Sequence, residues 1–403
     1  MADTEVIVVG GGIAGASTAY HLAQCGRNVA LLERGDIASE ASGVNAGGIG
    51  ALGWGNIPNL QSYLTMGSLQ IFKAMQLELG FDIEFRASGA LQAIQTAEQY
   101  QYSRDNVLSL KSRGYSVELL STAEARALEP ELSPHLKGAV HFPLRAHADP
   151  VRATRAFDDA AEREGASLLT GREVTAIARQ PGGAFRVTCG DEEYTARSLV
   201  LAAGAWCAPL GTMLGLNIPI LPVRGQMWAS EPLPPRVFNS LSAAESPLHW
   251  ARNPGNDNHT PPELTHSGQE RVTRHLYGRQ TRDGELVFGG DRQLAGYDKT
   301  VDQAGIEVNF GHVAELLPML TGLSIARTWA GLMPFSLDGK PLIGRIPQFE
   351  NLYICSGLAS SGFGRGPMAG KLLAEYIHTG HRPTALSEAD PARCVITATG
   401  ASK

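Results

Sequence analysis

The segment from Glu5 to Glu33 narrows the possible folds of this chain more than any other. A β-branched run, Glu5-Val6-Ile7-Val8-Val9, leads at once into Gly10-Gly11-Gly12-Ile13-Ala14-Gly15. A stretch of helical character, Ala16 to Cys25, stops at Gly26, and a second apolar run, Asn28 to Leu32, ends at Glu33. Strand, G-x-G-x-x-G, helix, strand, acid is the order of a dinucleotide-binding βαβ unit. Gly10 permits the tight turn, Gly12 lets a pyrophosphate approach the backbone, and Gly15 lets helix and strand pack closely. The phosphates then meet the helix N-terminus, whose free N–H groups and dipole favour negative charge. Glu33 can accept from both hydroxyls of a ribose, which disfavours a 2′-phosphate. The unit alone leaves NAD and FAD open.

Composition removes other classes. The 403 residues suffice for two or three domains. A 43% hydrophobic and 18% charged make-up is that of a core-forming globular chain. A net charge of −6 argues against a general nucleic-acid binder. No apolar run reaches the ~18 residues of a membrane span. Asp3 and Glu5 before a short apolar run do not make a secretory signal, so the expected location is the cytoplasm. The cysteines Cys25, Cys189, Cys207, Cys355 and Cys394 are dispersed and form no C-x-x-C, which points to free thiols. The 46 glycines exceed the usual ~7% share and are clustered.

Four of those clusters separate NAD from FAD. Residues 39–49 read Ser-Glu-Ala-Ser-Gly-Val-Asn-Ala-Gly-Gly-Ile, and residues 199–206 read Leu-Val-Leu-Ala-Ala-Gly-Ala-Trp. Residues 329–344 read Trp-Ala-Gly-Leu-Met-Pro-Phe-Ser-Leu-Asp-Gly-Lys-Pro-Leu-Ile-Gly. Residues 357–370 read Gly-Leu-Ala-Ser-Ser-Gly-Phe-Gly-Arg-Gly-Pro-Met-Ala-Gly and lead into a helix through His378, with Pro367 expected in its first turn. From residue 5 to about 385 the chain resembles the D-amino acid oxidase-like family of flavoproteins, which includes glycine and sarcosine oxidases and D-amino acid dehydrogenases. The N-terminus of the last helix would then face the flavin pyrimidine edge and stabilise negative charge there.

The resemblance implies an α/β architecture: a Rossmann-like FAD-binding domain and a discontinuous mixed-sheet substrate domain of α+β character. The FAD-binding domain is expected over residues 1–80, 139–215 and 328–385, and the substrate domain over 81–138 and 216–327. Further expectations are a helix from Asp149-Pro150 to Glu164, strands at Ser167–Leu169, Ala90–Ile94 and Glu285–Gly289, and a meander from Glu173 to Tyr194. Residues 231–275, with seven prolines and four histidines, read as an insertion that covers the substrate pocket or meets a protein partner. The histidine spacings of 10, 7 and 9 match no common ligand pattern, so no metal is expected. The tail, 387–403, should be frayed or held only by contacts.

The implied cofactor is FAD. Its attachment is non-covalent, because Ala330 to Pro334 hold no cysteine and residues 39–49 no histidine, the attachment residues of relatives. Candidate contacts are Gly10, Gly12, Ile13, Ala14, Gly15, Glu33 and Arg34 in the βαβ unit, and Ser42, Asn45, Ala46 and Gly47 in the next loop. Val174 stands where the family places a backbone contact to the adenosine. Ala203, Gly204, Trp206, Gly331, Gly362, Phe363, Gly364 and Arg365 complete the set. The implied reaction oxidises a C–N bond of an amine or amino acid by hydride transfer to flavin N5, giving an imine that hydrolyses, with oxygen or another acceptor removing the electrons.

The departures from the family bear on the substrate. D-amino acid-oxidising relatives carry a carboxylate-binding Arg two residues after the Gly of Trp-x-Gly, and here that position is Met333. Sarcosine oxidases place an oxygen-activating Lys on a strand matching Glu285 to Gly289, which has none, and this favours a dehydrogenase. Tyr277 matches a pocket position, and Arg279 shares its face of the strand. Arg224 and Arg365 are the other candidates to compensate for Met333, which with Trp250 would make an apolar, roomy pocket. Tyr277, Arg279, Arg224 and Met333 are the candidate substrate-side residues. Two alternatives stay open: oxidation of a 2-hydroxy acid, and a flavin subunit of a multi-subunit dehydrogenase.

Overall fold

A computed structural model describes residues 4–252, 266–267, 270–271 and 274–398. Two sheets organise it. The first has six strands in the spatial order Leu342–Arg345, Leu352–Ser356, Ser198–Leu201, Val6–Val9, Val29–Leu32, Ser167–Leu169. All neighbours are parallel except the edge strand Leu342–Arg345. Val6 to Val9 are buried on both faces, as a central parallel strand requires. On one face lie the helices Ile13–Gln24, Leu60–Leu77, Pro150–Arg163 and Gly362–Thr379, around Leu22, Phe72, Phe157 and Phe363. On the other lies the meander Ala176–Arg179, Phe185–Cys189 and Glu192–Ala196, which buries Phe185 and Val187 against Ile7 and Val9.

The second sheet has eight strands in the order Ile325–Ser336, Ile220–Ser230, Leu286–Gly289, Tyr277–Gln280, Ser240–Ala243, Ala90–Ile94, Gly138–Phe142, Glu118–Leu120. It is mixed: Ser240–Ala243 runs parallel to Ala90–Ile94, and every other pair is antiparallel. The helix Gln303–Leu316 covers one face, where Trp228, Phe288, Val313 and Leu316 are buried. The Trp228 indole N–H donates to Asn309 Oδ1 at 2.8 Å, satisfying a polar atom inside that core. Gly138–Phe142 and the stretch to Ser336 pair in this sheet, so the substrate-side sheet takes in residues grouped above with the FAD-binding parts.

Local signals account for most ends. Asp149 caps Pro150–Arg163 by accepting from Arg152 N at 2.7 Å, with Pro150 at the first position, where no N–H is needed. Gly26 (φ +74°) and Gly380 (φ +75°) end their helices in the left-handed region.

Two expectations need correction. The last helix begins at Gly362, so Pro367 lies in its interior rather than its first turn; the Pro367 carbonyl accepts from Ser17 Oγ at 2.7 Å. The segment 231–275 is not simply an insertion. Ser240–Ala243 is an interior strand of the second sheet and Glu245–Arg252 a helix, with Pro247 tolerated in its first turn. Of its histidines, His259 lies outside the described residues. The tail is held by contacts, the second of the two alternatives expected for it, as far as Ala398: Ala389 and Val395 are buried, and Ile396–Thr397 pairs with Leu216–Asn217.

Among the described residues no helix is long and apolar enough to cross a membrane, and no group of three or more His, Cys, Asp or Glu is placed to hold a metal ion.

Candidate active site

One elongated cavity of about 620 Å³ runs from Glu173 and Val174, past the N-termini of two helices, to the open face of the eight-stranded sheet. Its first half is made of backbone. Gly10 turns at φ +116°, and a Cβ there would stand 2.6 Å from Ala202 O. A Cβ on Gly15 would stand 1.9 Å from Gly10 O, so any side chain would push the helix off the turn. Gly12, Ile13 and Ala14 line the cavity at the start of Ile13–Gln24, a helix with no acidic residue in its first turn. Glu33 is buried beside them; its carboxylate accepts from Gly11 N at 2.7 Å and Gly35 N at 2.8 Å.

The arginines in this half are paired. Arg34 donates to Glu40 at 2.7 Å and lies 3.9 Å over the Trp206 ring. Arg172 pairs with Glu192 and Tyr194. Val174, Ala203, Gly204 and Trp206 are on the wall.

The loop after Glu33 is fastened from several sides. Ser42 Oγ accepts from Ile13 N at 2.9 Å. Asn45 donates to Ala41 O and Ser42 O and accepts from Gly47 N. Gly47 turns at φ +76° with Ala148 O 1.8 Å from where a Cβ would be. Trp329 Nε1 donates to Val44 O at 2.9 Å, and Gly331 leaves room for Val44. Ser42, Asn45 and Ala46 line the cavity, as do Gly362, Phe363, Gly364 and Arg365 at the start of the last helix. Gly10, Gly15, Gly47 and Gly331 stand behind the wall and set how closely the backbone approaches it. Two glycine-lined helix N-termini and a buried carboxylate beside the first form a cradle that suits a dinucleotide.

The sheet-side half is made of side chains. Tyr277, Ser242 and Gln92 are cross-strand neighbours on three adjacent strands and line it together. Burial pushes the Tyr277 phenol up to about 12. His275 and Ser246 share a 2.6 Å hydrogen bond, and burial, aided by Arg292, pushes His275 down to about 3, so it is neutral at physiological pH.

Among the described residues two arginines, Arg145 and Arg292, line this half, and a third, Arg365, stands at its boundary with the cofactor half in the first turn of the last helix. Arg292 lies 4.6 Å over Trp250 and 5.2 Å over Phe335 and donates to Ser360 Oγ at 2.9 Å. Burial lowers Arg145 and Arg292 to about 10, and lowers Arg365 as well. All remain charged at neutral pH. Among the described residues the acids on the cavity wall are Glu33, Glu40 and Glu173, which belong to the other half. Ser242 Oγ, Trp250 Nε1, Arg145 Nε and Arg365 Nε are buried here without a hydrogen-bond partner.

Two sequence candidates do not reach the cavity. Arg279 is on the face of Tyr277 but is fully engaged: Nε donates to Ala46 O at 2.7 Å and Nη2 to Ala148 O at 3.3 Å. It buttresses the glycine-rich loop. Arg224 donates to Gln293, Asp298 and Thr300 O, and so holds the segment that carries Arg292. Met333 does line the cavity, with its Cε 3.0 Å from where a Gly225 Cβ would be. Arg292, Arg145 and His275 were missed; each lies just outside a strand, where the alternating pattern assigns no face.

Known proteins place this geometry. The family described as FAD dependent oxidoreductase (DAO) matches residues 5–376. Glycine oxidase of Bacillus licheniformis is 28% identical over 93% of this chain and 92% of its own length. Sarcosine oxidase subunit beta of Rhizobium meliloti (strain 1021) is 28% identical over 93% of this chain and 85% of its own. The crystal structure of L-proline dehydrogenase from P. horikoshii superposes with a TM-score of 0.81 at 26% identity, covering 97% of each chain.

Proposed function

The chain belongs to the DAO family of FAD-dependent oxidoreductases, and from that premise we propose that it oxidises the C–N bond of an amino acid or other anionic amine. The residues of the glycine-lined half fit the cofactor: the N-terminal N–H groups of Ile13–Gln24 and Gly362–Thr379 for its negative groups, and Glu33 for a ribose. When bound, FAD supplies the two-electron acceptor for a hydride leaving the substrate α-carbon. The substrate nitrogen gives up a proton, the C–N bond becomes an imine, and water hydrolyses it to a carbonyl product and a free amine. Oxygen or another acceptor then removes the electrons.

The observation that carries the anionic part of this reading is Arg292. Met333 occupies the position of the usual family arginine, and Arg292 brings a half-buried guanidinium to the same wall, with no carboxylate among the described residues paired to it. Trp250 and Phe335 flank it at 4.6 and 5.2 Å, which leaves the N–H donors not given to Ser360 for a ligand carboxylate. His275, neutral, and Tyr277, protonated, add polar contacts without adding charge.

Anaerobic bleaching of the ~450 nm flavin band tests the reading. Among amines, N-methyl amino acids, D- and L-amino acids and 2-hydroxy acids, an amino acid or N-substituted amino acid is expected to bleach it. Bleaching by 2-hydroxy acids alone overturns the C–N assignment. Admitting air then distinguishes an oxidase from a dehydrogenase by how fast the colour returns.

A further inference from the structure

Arg292 does not account for all the positive charge facing the sheet-side half. Arg145 follows the strand Gly138–Phe142 and lines the same wall. Its guanidinium rests 3.7 Å over the Phe142 ring, its Nε has no hydrogen-bond partner, and no acid offsets the burial that lowers it. A cation buried this way is costly unless a ligand supplies the missing negative charge.

Strand register sets the relation between the two arginines. Tyr277, Ser242 and Gln92 form one row across three strands, and Cβ atoms of such neighbours share a face. Adjacent strands lie ~4.8 Å apart, so Tyr277 and Gln92 stand roughly 10 Å from each other. Arg292 belongs to the Tyr277 end: it follows Gly289, the strand partner of Tyr277, and its charge acts on the phenol. Arg145 belongs to the Gln92 end: Gly89 N donates to Arg145 O at 2.9 Å, and Ala90 pairs with Phe142. Between them lies the unpartnered Ser242 Oγ. The row is therefore a polar trough with a cation at each end and, among the described residues, no acid on its wall.

We propose that the substrate carries two carboxylates, one gripped by Arg292 and the other by Arg145, with Ser242 and Gln92 between them. This rests on the anionic-amine reading and names its class: a dicarboxylic amino acid, or an amino acid whose nitrogen bears a carboxyalkyl group.

The test is titration of the FAD-loaded protein with unreactive acids, propionate and butyrate against succinate and glutarate, read by perturbation of the flavin absorbance. The better dicarboxylate is expected to bind at least about tenfold tighter than the monocarboxylate that lacks only its second carboxylate, propionate for succinate and butyrate for glutarate, the worth of one charge-assisted contact. Arg145→Leu should bring that ratio to within about twofold, and Arg145→Lys should keep part of it. Retained flavin absorbance reports that both variants fold. A wild-type ratio near one overturns the proposal. So does a ratio that survives in Arg145→Leu. If Arg145→Leu sheds its flavin, the ratio in Arg145→Lys decides: part of the selectivity lost supports the proposal, and full selectivity assigns the residue to the cofactor. Failure of the underlying reading looks different, because no amine would bleach the flavin while the dicarboxylate ratio persisted.

Discussion

The two halves of the cavity handle charge in opposite ways. In the nucleotide half every arginine on the wall has an acid: Arg34 has Glu40 and Arg172 has Glu192. In the proposed reading, negative groups of the cofactor are left to uncharged backbone, the N–H groups at two helix starts. In the sheet-side half Arg145 and Arg292, with Arg365 at the boundary, face the cavity with no acid on the wall among the described residues. A resident cofactor can be held by fixed dipoles that need no counter-charge. A substrate that comes and goes supplies its own negative charge, and the site waits for it with full cations.

If this division is right, damage to one half should leave the function of the other readable. The largest effect is expected from Gly15→Val. A side chain there meets Gly10 O, so the helix start moves and the protein should purify nearly colourless while its circular dichroism stays native-like. Normal flavin content would show that close approach of helix and turn is not what holds the cofactor. Arg292→Leu should do the reverse. Flavin absorbance stays, and kcat/KM for the best anionic amine falls about 10²–10³-fold, the scale for removing one partner of a buried charge pair. An unchanged kcat/KM would move the carboxylate to another residue.

Arg279→Met probes the boundary, since this residue stands on the substrate-side sheet but donates to the cofactor loop. It leaves Ala46 O and Ala148 O short of a donor, at about 1–3 kcal/mol each when buried. FAD affinity measured by reconstitution should fall about 10–100-fold. A loss confined to substrate binding would instead make it the clamp that its position in the strand suggests.

Legibility in the sequence divided along the same line. Spacing of Gly10, Gly12 and Gly15, the acid at Glu33 and the glycines around residues 47, 204 and 364 expose the cofactor half because it is built from backbone, and backbone geometry restricts residue type. Strand periodicity put Tyr277 and Arg279 on one face but said nothing of how far along it the cavity extends. Arg279 reaches Ala46 O first and is consumed there. Arg292 sits after Gly290, at φ +138°, beyond the end of a strand, so its direction is set by a turn and by Arg224 holding the segment behind it. Prolines around Ser240–Ala243 concealed an interior strand, because they fall before it and in the first turn of the next helix, where a missing N–H costs nothing.

The smallest effect concerns His275, which lies between Trp250 and Tyr277 and next to Arg292. Its folded value of about 3 is below the 6.5 of an unfolded histidine. Below pH 6.5 the unfolded chain takes up a proton that the native protein refuses, so stability is full above 6.5 and declines as pH falls toward 3. At pH 5.5 one such histidine costs about 1.4 kcal/mol. His147, at about 3, and His21, at about 4, act in the same direction. His275→Asn should therefore lessen the loss between pH 7.5 and 5.5, read from urea unfolding, by about 1.4 kcal/mol without removing it. An acid response identical to wild type would mean that His275 accepts a proton in the native protein. The substrate side would then gain a further positive charge in mild acid, and the dicarboxylate preference should strengthen over the same pH range.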